Sequence, residues 1–291
     1  MSIAADLPTR RTEAWKYSDL RRAVGDAWHV LRDGRDIIER LAPGTQRLTA
    51  PAGERRLFVE TMDDDRHMDA RAFDWDVGEN ATLTRVVIQT GKEMPLSIAR
   101  VRLAAGAQLR QFVLAEGARM ARIETHVEIA GEGAQAELNG IYLAREGRHA
   151  DLTSVIEHKA PGGETRQLIK GVARKGGRGV FQGKIVVAPH AQQTDARQYH
   201  HGLLLEEGAE IDAKPELLIY ADDVQCAHGN TAGGLDDAAL FYLRSRGISG
   251  EAARALLIEA FLADAIPDAL PEALREELLA RVRMWLNGAH S

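Results

Sequence analysis

A two-residue alternation of apolar and polar side chains runs through the middle of this 291-residue sequence, from about residue 57 to residue 219. The alternation is clearest in residues 82–88, 98–103 and 122–129. Successive side chains of a β-strand point to opposite faces, so this pattern predicts many short, half-buried strands. The chain is therefore expected to be mainly β, which excludes stacked helical repeats.

Glycine-led turns recur between these strands. Gly-Ala pairs begin at Gly106 and Gly133, 27 residues apart, and a third begins at Gly208, 75 residues further on, near three times about 25. A fixed repeat of this length is typical of stacked coils. A β-sandwich is the alternative, but its hairpins favour Asn-Gly or Asp-Gly turns, and this stretch contains only Asn139-Gly140. The pattern therefore favours a β-helix.

Regions with helical spacing flank the predicted strands. We expect an N-terminal helical segment in residues 1–50, the β-helix core in residues 55–234 and a C-terminal helical region in residues 235–291. The three C-terminal helices are too short for a large core of their own, so they are expected to pack on the β region or on a partner. The apolar side chains of the N-terminal segment lie at near-helical intervals: Trp15, Tyr17, Leu20, Val24 and Trp28.

Capping residues set the expected ends of the C-terminal helices. Asp236 is placed to cap the first helix, and Gly247 to end it in a left-handed conformation. Ser249 caps the second helix, and the third runs from Pro271 to about Asn287. Apolar spacing in the second helix predicts one buried face, made of Ala253, Leu256, Leu257, Ala260 and Phe261.

The cysteine count and the charge narrow the classes of function. Cys226 is the single cysteine, which excludes an internal disulfide, a four-thiolate zinc site and a self-contained iron–sulfur cluster. A formal net charge of -6 with scattered basic residues argues against nucleic-acid binding. No segment has the pattern of a signal peptide or a membrane span, so we expect a cytoplasmic protein with no membrane contact.

The strongest chemical motif is Cys226-Ala227-His228. A thiol and an imidazole two residues apart on a strand face the same side and can approach one metal ion. For this spacing alone, a buried cysteine beside a strand-end histidine is the alternative. His200 and His201 precede Cys226 by about one repeat, so we expect them to stack beside Cys226 and His228 at about 4.8 Å as secondary ligand candidates.

Two other classes of protein remain open on this pattern. An independent metal-binding β-helix homodimer would use His200, His201, Cys226 and His228 together. A β-helix carbohydrate-active enzyme or acyltransferase is the second class. The polysaccharide lyases of this shape are usually exported and the acyltransferases show strict hexapeptide repeats, and the sequence has neither an export signal nor such repeats.

Two stretches of the sequence resemble the SufB/SufD family of iron–sulfur cluster assembly scaffolds. One is residues 214–229, KPELLIYADDVQCAHG, continuing through residues 235–248, and the other is residues 11–20, RTEAWKYSDL. The resemblance implies a right-handed parallel β-helix and a non-catalytic, SufD-type subunit that pairs with a SufB-type paralogue. It places functional weight on His228 and Cys226. The position of a key cysteine in SufB-type subunits matches His200.

The same resemblance implies further partners and a transient product. An iron–sulfur cluster shared with the partner subunit is expected near Cys226 and His228, and Gly229, Gly233 and Gly234 are the expected hinge behind this motif. A homodimer of the isolated subunit and a bound flavin are further expectations. A SufC-type ABC ATPase is expected to dock on the C-terminal helices through Leu240, Phe241, Leu243, Arg244, Arg246, Leu256, Leu257 and Phe261.

The sequence departs from the family pattern at three places. The motif that begins at Trp15 comes almost at once, so a reduced N-terminal helical region is expected. Asn230 stands where alanine is usual, and Gly233-Gly234 replaces a Gly-Gln pair. None of these changes touches Cys226 or His228, but the last two are expected to alter the turn into the C-terminal helices.

Overall fold

The computed structural model describes residues 7–24, 32–65 and 68–288, and its centre is a parallel β-helix. The chain passes alternately between two sheets, so each coil adds one strand to each sheet. The predicted parallel β-helix is confirmed, and its right-handed sense stays a prediction. The strands of the described chain are β1 (Thr45–Ala50), β2 (Arg55–Met62), β3 (Met68–Val77), β4 (Thr82–Gln89), β5 (Met94–Leu103), β6 (Gln108–Ala115), β7 (Ala121–Ile129), β8 (Gln135–Ala144), β9 (His149–His158), β10 (Glu164–Ala173), β11 (Arg178–Val187), β12 (Thr194–Leu204), β13 (Glu210–Ile219) and β14 (Val224–Gly233).

The odd-numbered strands form one sheet, which we call sheet A, and the even-numbered strands form sheet B. All pairs of neighbouring strands within these sheets are parallel. The lumen between the sheets is filled by aliphatic side chains from both, among them Leu83, Leu109, Leu138, Ile156 and Ile185. This continuous burial explains why the alternation of the sequence is so regular, because every strand needs one apolar face.

The coils lengthen along the chain. Thr82 of β4 pairs with Gln108 of β6, whereas Thr194 of β12 pairs with Val224 of β14, so the later coil contains four more residues. The expected constant repeat length is therefore wrong for the last coils. The strands keep their length of about ten residues there, so the added residues lie in the turns, where insertions cost little.

Glycine occupies turn positions that demand a left-handed backbone. Gly106, Gly133 and Gly208 have φ values of 63°, 66° and 83°. A side chain with a Cβ is disfavoured in this region, so the recurring Gly-Ala pairs mark true corners of the coil. The Gly-Ala pairs therefore indicate the corners correctly, although the number of residues between corners is not constant.

The N-terminal residues lie against the outer face of sheet A. A 3₁₀ turn (Glu13–Trp15) and two short helices, α1 (Leu20–Val24) and α2 (Ile37–Leu41), make up this layer. Ser18 donates a hydrogen bond to Asp151 (2.5 Å), and the Trp15 ring covers the buried guanidinium of Arg122 at 4.2 Å. The predicted segment of residues 1–50 is thus only partly helical, since β1 occupies its last six residues. Trp28 lies outside the described residues.

Three C-terminal helices follow β14, namely α3 (Asp237–Ser245), α4 (Gly250–Ala263) and α5 (Glu272–Leu286). The Asp236 side chain accepts from the backbone N–H groups of residues 238 and 239, and Ser249 accepts from that of residue 252. Gly247 ends α3 with a φ of 86°. The predicted caps are therefore confirmed. No helix in residues 7–24, 32–65 and 68–288 is long and apolar enough to cross a membrane.

Helices α4 and α5 pack on the outer face of sheet B. Ile258 and Leu262 of α4, with Val282 and Trp285 of α5, join a buried cluster with strand residues such as Ile141. The predicted face of α4 is partly wrong, because its fully buried side chains are Ala253, Ile258 and Leu262, whereas Leu256 is 50% exposed. Apolar residues surround this helix on most sides, so spacing alone could not choose the buried stripe.

Candidate functional site

The last coil leaves one end of the β-helix open. β13 is the final strand of sheet A and β14 the final strand of sheet B, so one long edge of each has no neighbouring strand in the described chain. Side chains near the end of β13 are exposed, among them Ile219 and Tyr220. An uncovered strand edge presents free N–H and C=O groups that can pair with another chain.

Cys226 and His228 lie on the lumen side of β14. The register pairs Cys226 with Ala196 and His228 with Gln198, and both β12 residues are fully buried in the lumen. Side chains at paired positions of neighbouring parallel strands point the same way. Cys226 is partly buried against the lumen core, and His228 is exposed at its mouth. The expectation that the two side chains share one face of a strand is confirmed.

The structure does not bring His200 beside Cys226. His200 pairs with Asn230 and His201 with Thr231, four residues further along β14 than predicted. Four residues of strand span about 13 Å, which separates His200 from the thiol beyond any shared coordination. The expected stacking is wrong because this coil is longer, by those four residues, than the repeat that the sequence suggested.

His200 is a buried imidazole with both ring nitrogens occupied. The Tyr142 hydroxyl lies 2.9 Å from Nε2, and Asn230 Oδ1 lies 2.6 Å from Nδ1. The Phe181 ring stacks on the imidazole at 5.2 Å. Burial lowers the pKa of His200 to about 4, so the ring is neutral at pH 7. It then donates from Nδ1 to Asn230 and accepts at Nε2 from Tyr142, which leaves no nitrogen for a metal ion.

His201 points to the opposite face of sheet B. Its Nδ1 lies 2.7 Å from the Thr231 hydroxyl, on the outer side of the coil. Partial burial, with a contribution from nearby Lys170, lowers its pKa below the usual range. His200, His201, Cys226 and His228 therefore do not converge, and an independent metal site built from these four residues loses its geometric basis.

Cys226 and His228 are two of the ligands that a metal site at this position would need. Burial raises the pKa of the Cys226 thiol, so the protonated thiol is favoured until a metal ion or another cation approaches. Among the residues that the structure describes, no group of three or more His, Cys, Asp or Glu side chains is placed to hold a metal ion. Structural metal sites usually need about four protein ligands, so a metal site built on Cys226 and His228 would need further ligands.

Comparison with known proteins identifies the family. Residues 49–261 match the family model described as "SUF system FeS cluster assembly, SufBD core domain". The chain belongs to the SufBD family. The matched span covers the β-helix from the end of β1 through β14 and continues into α4. Membership connects this chain with iron–sulfur cluster assembly, as the sequence motifs predicted.

Individual SufBD relatives have similar sequences. The chain is 34% identical to the iron–sulfur cluster assembly protein SufD of Escherichia coli over 78% of this chain and 54% of that protein. It is 29% identical to a SufBD family protein of Mycobacterium leprae, over 95% of this chain and 75% of that protein. It is 37% identical to the chloroplastic protein ABCI7 of Arabidopsis thaliana, over 57% of this chain and 35% of that protein. The chain spans about half the length of the first of these relatives.

The residues expected to dock an ATPase lie on two differently placed helices. No residue of α3 is fully buried, and Phe241 is 74% exposed. In α4, Leu256 faces outward, whereas Phe261 lies beneath the ammonium group of Lys170 at 4.6 Å. This SufBD chain thus presents α3 and one side of α4 to solvent, while the other side of α4 holds the helices on sheet B.

The predicted hinge of this SufBD chain lies largely inside a paired strand. Gly229 and Gly233 belong to β14 and pair with Tyr199 and Leu203 of β12. Gly234 is the first residue after the strand. A Cβ at Gly233 or Gly234 would have no atom within 4 Å, whereas at Gly229 it would lie 3.0 Å from the Tyr199 ring. The hinge role stays a prediction.

The sequence did not predict two features of the lumen, namely the hydrogen bonds that join His200 to Tyr142 and Asn230, and the buried side chain of Gln198. Glycines inside strands were the available signal. A Cβ at Gly171 or Gly179 would lie within about 2 Å of the Tyr142 ring, at 1.8 and 2.0 Å. A strand glycine indicates that something large approaches, but the sequence does not say which side chain fills the space.

Proposed function

We propose that this chain is a non-catalytic, SufD-type scaffold subunit for iron–sulfur cluster assembly. The observation that carries the proposal is the position of Cys226 and His228 on the lumen face of the last strand, at the open end of the β-helix. Thiolate and imidazole are ligands that suit iron. The cluster is the product that leaves the scaffold, so ligands at an accessible mouth fit a transient role.

The site is completed by a second β-helix subunit of the SufB type. One thiol and one imidazole cannot hold a cluster that takes about four ligands. These two side chains lie on β14, beside the uncovered edges of β13 and β14. A second chain that pairs with these edges brings its own ligands to the same mouth. A homodimer of the isolated subunit would use the same edges and would bring two thiols and two imidazoles to the mouth, with no further kind of ligand.

A SufC-type ABC ATPase binds the exposed side of α3 and α4. The aromatic side chains of Phe241 and Tyr242 are 74% and 57% exposed, on a helix that has no fully buried residue. Exposed aromatic residues of this kind are typical anchors of protein interfaces. Lys170 of β10 ties α4 to sheet B through Asp264, at 2.6 Å, so movement of the helices reaches a strand that is two positions from β14 in the sheet.

Reconstitution with the partner subunit and the ATPase tests the shared site. His228→Ala should lower the yield of assembled cluster several-fold while the three proteins still co-purify in the same ratio. His126→Ala is the matched control, because His126 is a partly exposed histidine on the outer face of β7, away from the open end. An unchanged cluster yield in His228→Ala, with the complex intact, would refute the role of this residue.

A charge in the exposed stripe of α4 tests the docking surface. Leu256→Asp should abolish co-purification of the ATPase and leave the folded chain and its pairing with the second subunit unchanged, since Leu256 is 50% exposed. Glu251→Lys, near the start of the same helix, controls for a change of charge alone. Retained ATPase binding in Leu256→Asp would show that the helices are not the docking element.

Flavin binding stays an expectation of the family resemblance. A cavity of about 590 Å³ beside α5 is lined mostly by charged side chains, with Trp285 as its single aromatic ring. This lining does not fit the flat, largely apolar ring system of a flavin. Flavin fluorescence of the supernatant after denaturation of the purified complex tests the expectation that the resemblance raised.

A further inference from the structure

The side-chain amide of Gln198 is buried in the lumen without a partner. Its exposure is 0%, and neither Nε2 nor Oε1 has a hydrogen bond within the described residues. A Cβ at Gly183 would lie 1.7 Å from Nε2, so a glycine leaves the space that this amide fills. A buried amide without hydrogen bonds is costly, and native structures contain few such groups.

The other glutamines in the same column of sheet B are paired. Gln111 donates to Thr125 at 3.0 Å and accepts from Arg85 at 2.8 Å. Gln167, which is the direct neighbour of Gln198 in the register, lies 2.9 Å from the Ser154 hydroxyl. Burial of glutamine in this lumen therefore does not by itself prevent pairing. Gln198 differs from both in having His228 as its next neighbour towards the open end.

His228 lacks the complementary bond. Neither of its ring nitrogens has a hydrogen-bond partner in the described chain, while Gln198 occupies the paired position on β12, about 4.8 Å away. A histidine that binds a metal ion almost always donates its other ring N–H to a neighbouring acceptor. We propose that Gln198 is the positioning residue for His228, accepting one ring N–H at Oε1 when the imidazole turns inward over the lumen.

This hydrogen bond fixes which nitrogen of His228 carries the proton. The opposite nitrogen is then unprotonated and faces the mouth, in the form that binds iron. The buried position of Gln198 makes the acceptor rigid, because its amide is held between the lumen walls beside Gly183. The inference rests on the proposed function, in which His228 is a cluster ligand, and adds the residue that prepares it.

The tautomer of His228 in the full chain tests the bond directly. Ring ¹⁵N shifts at pH 8, where an ordinary imidazole is neutral, report the ratio of the two tautomers, and His228→Gln assigns the signal among ten histidines. Gln198→Met should shift this ratio about fivefold, as expected for the loss of one hydrogen bond. Gln198→Glu keeps an acceptor oxygen and should restore the ratio in part.

Gln167→Met is the matched control, since it removes a buried amide one coil deeper and should leave the His228 tautomer unchanged. Gln198→Leu is a second apolar variant should Gln198→Met fail to fold. An identical tautomer ratio in the wild type and both apolar variants overturns the proposal. A ratio that changes equally in Gln167→Met also overturns it, because the effect would then come from general loosening of the lumen.

Cluster yield in the reconstituted complex separates this inference from the function on which it rests. Gln198→Met should lower the yield about tenfold with the complex intact, in the range found when such orienting groups are lost. A changed tautomer combined with normal yield in His228→Ala would leave Gln198 as the positioning residue and refute the ligand role of His228. A normal yield in Gln198→Met alone, with His228→Ala defective, would overturn the positioning role in assembly.

Discussion

The closed coils of the β-helix and its open end use buried polar groups in opposite ways. In the closed coils, Arg85 is fully buried and bonds both Glu60, at 2.6 Å, and Gln111, at 2.8 Å. At the open end, Gln198 has no partner and His228 has both ring nitrogens free in the described chain. The difference indicates that the closed coils use these polar groups for stability, whereas the last coil leaves the Gln198 amide and the His228 ring available to each other and to another molecule.

The largest expected effect on stability concerns the buried ion pair of Arg85 and Glu60 in the closed coils. Arg85→Met leaves the Glu60 carboxylate buried at 2% exposure without its ion partner, so the free energy of unfolding should fall by about 3–5 kcal/mol. Urea denaturation measures this loss. Arg102→Met, which removes a solvent-exposed pair with Glu128, should cost well under about 1 kcal/mol. Equal losses in the two variants would mean that the buried pair has no special role.

The pH dependence of stability tests the buried hydrogen-bonded chain of Tyr142, His200 and Asn230. The folded pKa of His200, about 4, lies below its ordinary value of 6.5, so the unfolded chain binds a proton at pH 5 that the folded chain excludes. The stability that His200 contributes is therefore complete above about pH 6.5 and declines as the pH falls towards 4. By this linkage, stability should be about 2 kcal/mol lower at pH 5 than at pH 7 on account of His200.

His200→Leu should remove that part of the pH dependence. The decline in stability between pH 7 and pH 5 should shrink by about 2 kcal/mol, measured as urea midpoints at several pH values. His149 and His158 have pKa values that burial lowers in the same direction, and their contribution remains in both proteins. An unchanged slope would show that His200 takes up a proton in the folded chain, contrary to its two hydrogen bonds.

Gln167 and Gln198 are neighbours in the register of sheet B and give a matched test of the closed coils against the open end. Gln167→Met breaks a bond to Ser154 and should cost about 1–2 kcal/mol, since the hydroxyl is left buried without a partner. Gln198→Met removes at most the proposed bond to the exposed His228 ring, so its stability should change by less than about 1 kcal/mol. A loss in Gln198→Met as large as in Gln167→Met would show that the Gln198 amide is bonded as firmly as that of Gln167.

The strands and caps of this fold could be predicted because local chemistry determines them. Alternation marks a face at every strand, Gly106 and Gly133 mark corners, and Asp236 marks the start of α3. The position of His200 could not be predicted, because its register depends on how many residues the turns contain. Turn residues carry no periodic signal, so an error of four residues accumulated between β12 and β14.

The lumen side of the site was predictable only in part. Two-residue spacing correctly places Cys226 and His228 on one face. Alternation also assigns Gln198 to the interior, but its lack of a partner depends on which side chain stands opposite, and Gly183 of the other sheet occupies that place. Contacts across a lumen join residues with no fixed separation in sequence, so they require the folded coil.

The smallest expected change in stability completes the comparison. His228→Ala removes an exposed ring with no hydrogen bond in the described chain, so the free energy of unfolding should change by less than about 0.5 kcal/mol. Urea denaturation of the isolated chain measures this value, with Arg85→Met as the sensitive reference. A residue that contributes nothing to the isolated fold but is needed for cluster yield must act in the assembled complex. If His228→Ala instead destabilised the chain by about 2 kcal/mol, the mouth would be a packed part of the core, and its spare hydrogen-bonding capacity would not be available to a partner.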